Sequence, residues 1–88
     1  MKYLEEIINK VTDIAYMVRN NETIKDPANR DMNLMSQKAG FSPIDMCYIA
    51  VELMAYYKIR FSAEDINDYR FSTINSIADC VSRKLRSS

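Results

Sequence analysis

The chain has 88 residues, 48% of them apolar, and its 12 basic and 12 acidic residues cancel. A chain of this length buries roughly 60–65% of its unfolded surface, enough for one domain with a small core. Charge balance speaks against an electrostatic grip on nucleic acid, which shows as a basic excess. The lack of histidine removes the commonest general base and metal ligand, so no Ser-His-Asp or Cys-His site fits within this chain.

With 1 glycine and 2 prolines, helix formers at regular apolar spacing dominate, which predicts an all-α bundle in a single domain spanning residues 1–88. No signal-peptide core opens the sequence and no apolar run approaches membrane-spanning length, so a cytoplasmic, membrane-free protein is expected. Cys47 and Cys80 both fall within apolar helical patterns and are expected as buried, reduced thiols, because free cysteine packs as a small hydrophobe.

The first helix is predicted from Tyr3 to Val18. Leu4, Ile7, Ile8, Val11, Ile14, Ala15 and Val18 recur at steps of three and four and form one apolar stripe. Glu5 and Glu6 suit the positive end of the helix dipole and Arg19 the negative end. Asn20-Asn21-Glu22 breaks the pattern. The long polar stretch to Gly40, with a turn at Asp26-Pro27, requires a function or internal packing to be tolerated in a compact domain. Ile24, Met32, Leu34 and Met35 are the expected pins, with one helical turn around Asp31–Ser36.

The second helix is predicted from Ser42 to Tyr57. Ser42 suits the N-cap, Pro43 the first helical position and Asp45 the third. Ile44, Cys47, Val51 and Met54 form one apolar stripe, widened by Ile49, Leu53, Tyr56 and Tyr57. A helix apolar around so much of its girth is either central or presents a sticky face. Met46, Tyr48 and Tyr56 are the candidates for that face, and six tyrosines in a chain this short suit either a core and rim or an interface.

Lys58-Ile59-Arg60-Phe61 reads as a short extended connection. Ser62-Ala63-Glu64-Asp65 is a second cap signature opening a short third helix, with Ile66 and Tyr69 inward and the acids on a solvated face. Ser72 or Thr73 caps the last helix, where Ile74, Ile77, Ala78, Val81 and Leu85 repeat. Arg83, Lys84 and Arg86 crowd its final turn, where cations suit the dipole, and the alternative is a phosphate-binding patch.

Taken in order, these pieces resemble the acyl carrier protein family. Gly40-Phe41-Ser42-Pro43-Ile44-Asp45 is similar to the family's Gly-x-Asp-Ser-Leu signature. The run Val51 to Phe61 is similar to its second helix and exit, and Phe71-Ser72-Thr73-Ile74 to the opening of its last helix. A closer likeness is to the acyl-carrier-related proteins of peptide-maturation systems. The resemblance covers nearly the whole chain. It implies a four-helix bundle with a long loop between helices 1 and 2 and a short third helix. It also implies a non-catalytic role beside biosynthetic or peptide-modifying enzymes, and a serine that a phosphopantetheinyl transferase loads with 4′-phosphopantetheine.

The attachment motif departs from the pattern. Aligned without a gap, Ser42 stands where the family has aspartate, and Pro43, which has no hydroxyl, stands where it has the modified serine. Ser42 is therefore the one candidate attachment point, and its competing role is a plain helix cap. The second helix also lacks the family's acidic docking face, since Asp45 and Glu52 are its only acids. Two readings follow: a carrier that presents a tethered group or docks to partner enzymes, and a degenerate carrier without phosphopantetheine that acts as an interaction adaptor in peptide maturation. A helix-turn-helix regulator fits the topology but lacks a basic recognition helix.

Overall fold

The computed structural model describes residues 2–62, 64–65 and 71–87. Three α-helices carry the described part of the fold: α1 (Lys2–Val18), α2 (Pro43–Tyr57) and α3 (Ile74–Ser87). Two 3₁₀ turns, Glu22–Lys25 and Pro27–Asn29, lie between α1 and α2. No strand occurs among the described residues, so the expected all-α class is what the chain adopts.

The periodic stripe of α1 becomes its buried face. Ile7, Ile8, Val11, Ile14 and Ala15 are buried, while Leu4 stays exposed outside the core. α1 packs against both α2 and α3, and α3 contributes Ile74, Ile77, Ala78 and Val81 to the same cluster. Each buried isoleucine or valine withdrawn from water contributes about 1.5–3 kcal/mol before entropy is counted, and each alanine less. α3 starts at a reciprocal cap. Thr73 Oγ1 accepts from the Ser76 amide at 3.0 Å and Ser76 Oγ accepts from the Thr73 amide at 3.0 Å, so Thr73, not Ser72, takes the cap position.

The long α1–α2 connection is ordered because its polar backbone groups find partners. The Asn21 side chain accepts from the Thr23 amide at 3.0 Å and donates across the loop to the Lys38 and Ala39 carbonyls at 3.1 and 2.9 Å. The Leu34 amide donates to the Ser72 carbonyl at 2.8 Å, and the Asn75 amide to the Arg30 carbonyl at 3.0 Å, which ties the loop to the start of α3. Ile24, Leu34, Ala39 and Phe41 are buried beneath it. Met32 packs partly against the core, whereas Met35, expected as a pin, is exposed. The helical turn expected over Asp31–Ser36 is a series of bends and turns instead. Helical geometry appears earlier because Asn21 and Asp26 cap the turns there, with Pro27 at a first position.

After α2, Lys58 takes the left-handed conformation at φ 56° and its amide donates to the Met54 carbonyl, ending the helix. Ile59 is buried, and Phe61 meets Phe71 edge to face at 5.2 Å. Ser62 and Asp65 form the second predicted cap: Ser62 Oγ accepts from the Asp65 amide at 3.2 Å, and the Asp65 carboxylate accepts from the Ser62 amide at 2.8 Å. Glu64 and Asp65 are helical. The remainder of the predicted short helix, including Ile66 and Tyr69, lies outside the described residues.

Candidate functional site

Ser42 sits where the sequence places it, at the N-cap of α2, in extended conformation with Pro43 at the first helical position. Its Oγ accepts from the Asp45 amide at 3.2 Å, and the Asp45 carboxylate accepts from the Ser42 amide at 2.9 Å. Pro43 has no N–H, so this exchange satisfies two of the three amides left unpaired at the start of α2, those of Ser42 and Asp45. Asp45 also receives the Arg19 guanidinium at 2.8 Å, which joins the end of α1 to the start of α2. The Ser42 amide first, and then Arg19, hold the Asp45 carboxyl below the ordinary carboxylate range. Gly40, two residues upstream, has φ +76°, and nothing lies within 4 Å of where a Cβ would be.

The structure decides which face of α2 is inner. Met46, Ile49, Ala50 and Leu53 are buried, while Ile44 is 69% and Val51 55% exposed, and Cys47 also faces out. The predicted stripe of Ile44, Cys47, Val51 and Met54 is thus largely an outward ridge, and Met54 alone of the four is half-buried. At about 100° per residue, positions 44, 47–48 and 51 lie roughly opposite positions 46, 49–50 and 53. Both sets are apolar, so periodicity alone does not choose between them. Packing against α1 does, and the Arg19–Asp45 pair joins the two helices on the same side. Met46, expected on the exposed face, is 3% exposed. Cys47, expected as a buried thiol, is accessible, and Cys80 is buried as expected.

Tyr48 is 60% exposed and continues the ridge formed by Ile44, Cys47 and Val51. Of three clefts, one lies between the end of α1 and the loop, and two follow the seam between α1 and α2. The largest, about 490 Å³, is polar, and its lining includes Val18, Arg19, Lys38 and Gly40. The second, about 310 Å³, shares Val18 with the first and adds Met17, Asp45, Tyr48 and Glu52. The third, about 250 Å³, shares Met17 and Glu52 with the second and ends at Lys10, Asp13 and Tyr56. Lys10 Nζ lies 4.1 Å from the centre of the Tyr56 ring, a cation–π contact that closes that end.

The basic residues at the end of α3 do not gather into an anion site. Lys84 pairs with Asp65 at 2.8 Å and Arg83 with Asp79 at 3.0 Å. The Lys84 ammonium bound to Asp65 keeps that carboxyl below its ordinary range, and Asp65 in turn raises the pKa of Lys84. Among the described residues no group of three or more acidic or cysteine side chains is placed to hold a metal ion, and no helix is long and apolar enough to cross a membrane.

The seam was the feature sequence reading missed. Its signal was present as a stripe on α2, Asp45-Tyr48-Glu52-Tyr56 at steps of three and four, lying beside the buried positions. Compared with known proteins, the chain matches no family model, no curated protein and no solved structure.

Proposed function

We propose that this chain is a non-catalytic, acyl-carrier-like docking domain of the cytoplasm, with a four-helix architecture, that seats on a biosynthetic or peptide-modifying enzyme through the outward ridge of α2. The observation that carries the reading is the exposure of Ile44, Tyr48 and Val51, each more than half accessible, on a helix already anchored by a separate buried face. Ile44, Cys47, Tyr48 and Val51 lie side by side, and a continuous apolar surface suits an interaction site better than scattered exposed residues do. The chain's zero formal charge and the ridge's few acids fit apolar docking better than electrostatic steering.

Ser42 acts in this reading as a structural cap. Its hydroxyl is engaged by the Asp45 amide, and a phosphodiester on Oγ would bring a second negative charge toward the Asp45 carboxylate. The runner-up is a loaded carrier with 4′-phosphopantetheine on Ser42, and its support is specific: Ser42 is only half-buried at a helix N-terminus, where backbone amides favour an anion. Coexpression with a broad-specificity phosphopantetheinyl transferase, followed by intact-mass measurement, separates the two. The arm-free reading expects an unchanged mass, and one added arm on Ser42 selects the carrier. Docking itself is tested by affinity capture from the native host with the wild-type chain and Val51→Asp in parallel. A biosynthetic or peptide-modifying enzyme should be retained by the first and lost by the second, while equal retention refutes the ridge.

A further inference from the structure

We infer that the polar cleft between the end of α1 and the loop binds a small, polar phosphate monoester. The inference uses no residue of the α2 ridge and goes beyond the docking reading. Two short stretches of chain form the cleft, residues 18–21 on one wall and residues 37–40 on the other.

Both walls are held in place from behind. The Asn21 carboxamide donates to the Lys38 and Ala39 carbonyls at 3.1 and 2.9 Å, and the Gly40 amide donates to the Ser36 carbonyl at 2.7 Å. Ala39 is buried, which fixes the loop wall to the core. On the other wall, Asp45 holds Arg19 Nε at 2.8 Å. A site whose walls are already ordered avoids much of the entropy cost of ordering them around a ligand.

These bonds leave a set of free donors. The two terminal nitrogens of Arg19, the Lys38 ammonium and the Asn20 and Gln37 carboxamides make no hydrogen bond among the described residues. The backbone amides of Gln37 and Lys38 also donate to no group among them. No carboxylate lines the cleft. Asp45 offsets the charge of Arg19, and the carbonyl end of α1 at Val18 is weakly negative. Lys38 therefore supplies the net positive charge, and the affinity is modest.

A phosphate monoester suits this donor set better than a carboxylate does. Its three terminal oxygens can accept from both walls at once, and it carries about −1.5 to −2 charge near neutral pH. The cleft, about 490 Å³, exceeds the need of a phosphate group alone and lies within the usual size of small-molecule sites, about 300–1,000 Å³. The Asn20 and Gln37 carboxamides, which both donate and accept, match hydroxyls on the body that carries the phosphate.

The test is an NMR titration of the full chain with glucose 6-phosphate, with glucose and acetate as controls at matched ionic strength. The expected result is saturable shifts at Asn20, Gln37, Lys38 and Gly40 with a Kd of about 1–5 mM. Glucose should give no saturable shifts there, and acetate should bind several-fold more weakly. Lys38→Gln, a change at an exposed position, should weaken glucose 6-phosphate by about fivefold, the upper range for an exposed ion pair. Arg60→Gln removes the same charge from an exposed position outside the cleft and should leave the affinity unchanged.

The proposal is overturned if glucose 6-phosphate gives no saturable shifts at the cleft, or if glucose or acetate binds as tightly. It is overturned equally if Lys38→Gln and Arg60→Gln weaken binding alike, since that outcome reports net charge and not a site.

Discussion

α1 and α2 are helices of similar length with opposite economies of apolar surface. α1 turns nearly all of its aliphatic stripe inward, from Ile7 to Ala15. α2 buries Met46, Ile49, Ala50 and Leu53 and still leaves Ile44, Tyr48 and Val51 in water. Folding needs one face of a helix packed against the core. A second apolar face contributes nothing to that packing and is available for another molecule. The difference places an exposed apolar ridge on α2, the surface on which the docking proposal rests.

The sharpest way to break this comparison is to cut each face of α2 and measure unfolding in urea. Leu53→Ala, on the fully buried side, should cost about 2–5 kcal/mol, the range for a deleted core leucine. The same measurement on Asp45→Asn tests the tether that joins α2 to α1. Losing a charge-assisted cap and an inter-helix pair together should cost about 1–2 kcal/mol near neutral pH.

The pH dependence of that loss has a defined sign. The native pKa of Asp45 is lowered, chiefly by the Ser42 amide and then by Arg19. Its contribution is present above the unfolded carboxylate pKa of about 3.9 and is lost as pH falls through the lower native value. The gap between wild type and Asp45→Asn should therefore close in acid, and a gap unchanged from neutral pH to about pH 2 contradicts the assignment. Asp65, lowered by Lys84 and then by the Ser62 amide, contributes in the same direction over the same acid window.

Smaller changes sharpen the picture. Ser42→Ala should cost about 1 kcal/mol as a lost N-cap, and Ser62→Ala a similar amount. The two serines make the same reciprocal exchange with an aspartate three residues on, and each aspartate holds a cation at 2.8 Å. A much larger loss at Ser42 alone would show that its hydroxyl does more than cap. Lys58→Gly should add about 0.5 kcal/mol, because Lys58 holds a left-handed backbone that costs a side-chain-bearing residue more than glycine. The smallest effect belongs to Val51→Asp, expected within about ±0.5 kcal/mol. If it unfolds the chain, the outer ridge is part of the core and the contrast between the two helices fails.

Much of this architecture could be read from residue order. Regular spacing placed α1 and the last helix. Ser-Pro-x-Asp marked the first residue of α2, and Ser62 with Asp65 marked a second cap. These are local signals, set by side-chain chemistry within one or two turns. The rotation of α2 was not readable, because a helix apolar on opposite sides presents two equivalent stripes to any periodicity argument. The order in the loop was hidden for a related reason. Asn21 reaches carbonyls 17 and 18 residues away, and nothing local to an asparagine announces such a bond.

What the sequence determined by itself is therefore the three long helices, the caps at Ser42 and Ser62 and the all-α class, since each depends on hydrogen bonds and apolar spacing over a few residues. Tertiary structure alone decided which side of α2 meets water, that Cys47 is accessible, and that Met17, Tyr48 and Glu52 line one cleft. Those outcomes depend on the docking of α2 against α1 and on one ion pair spanning 26 residues, Arg19 to Asp45.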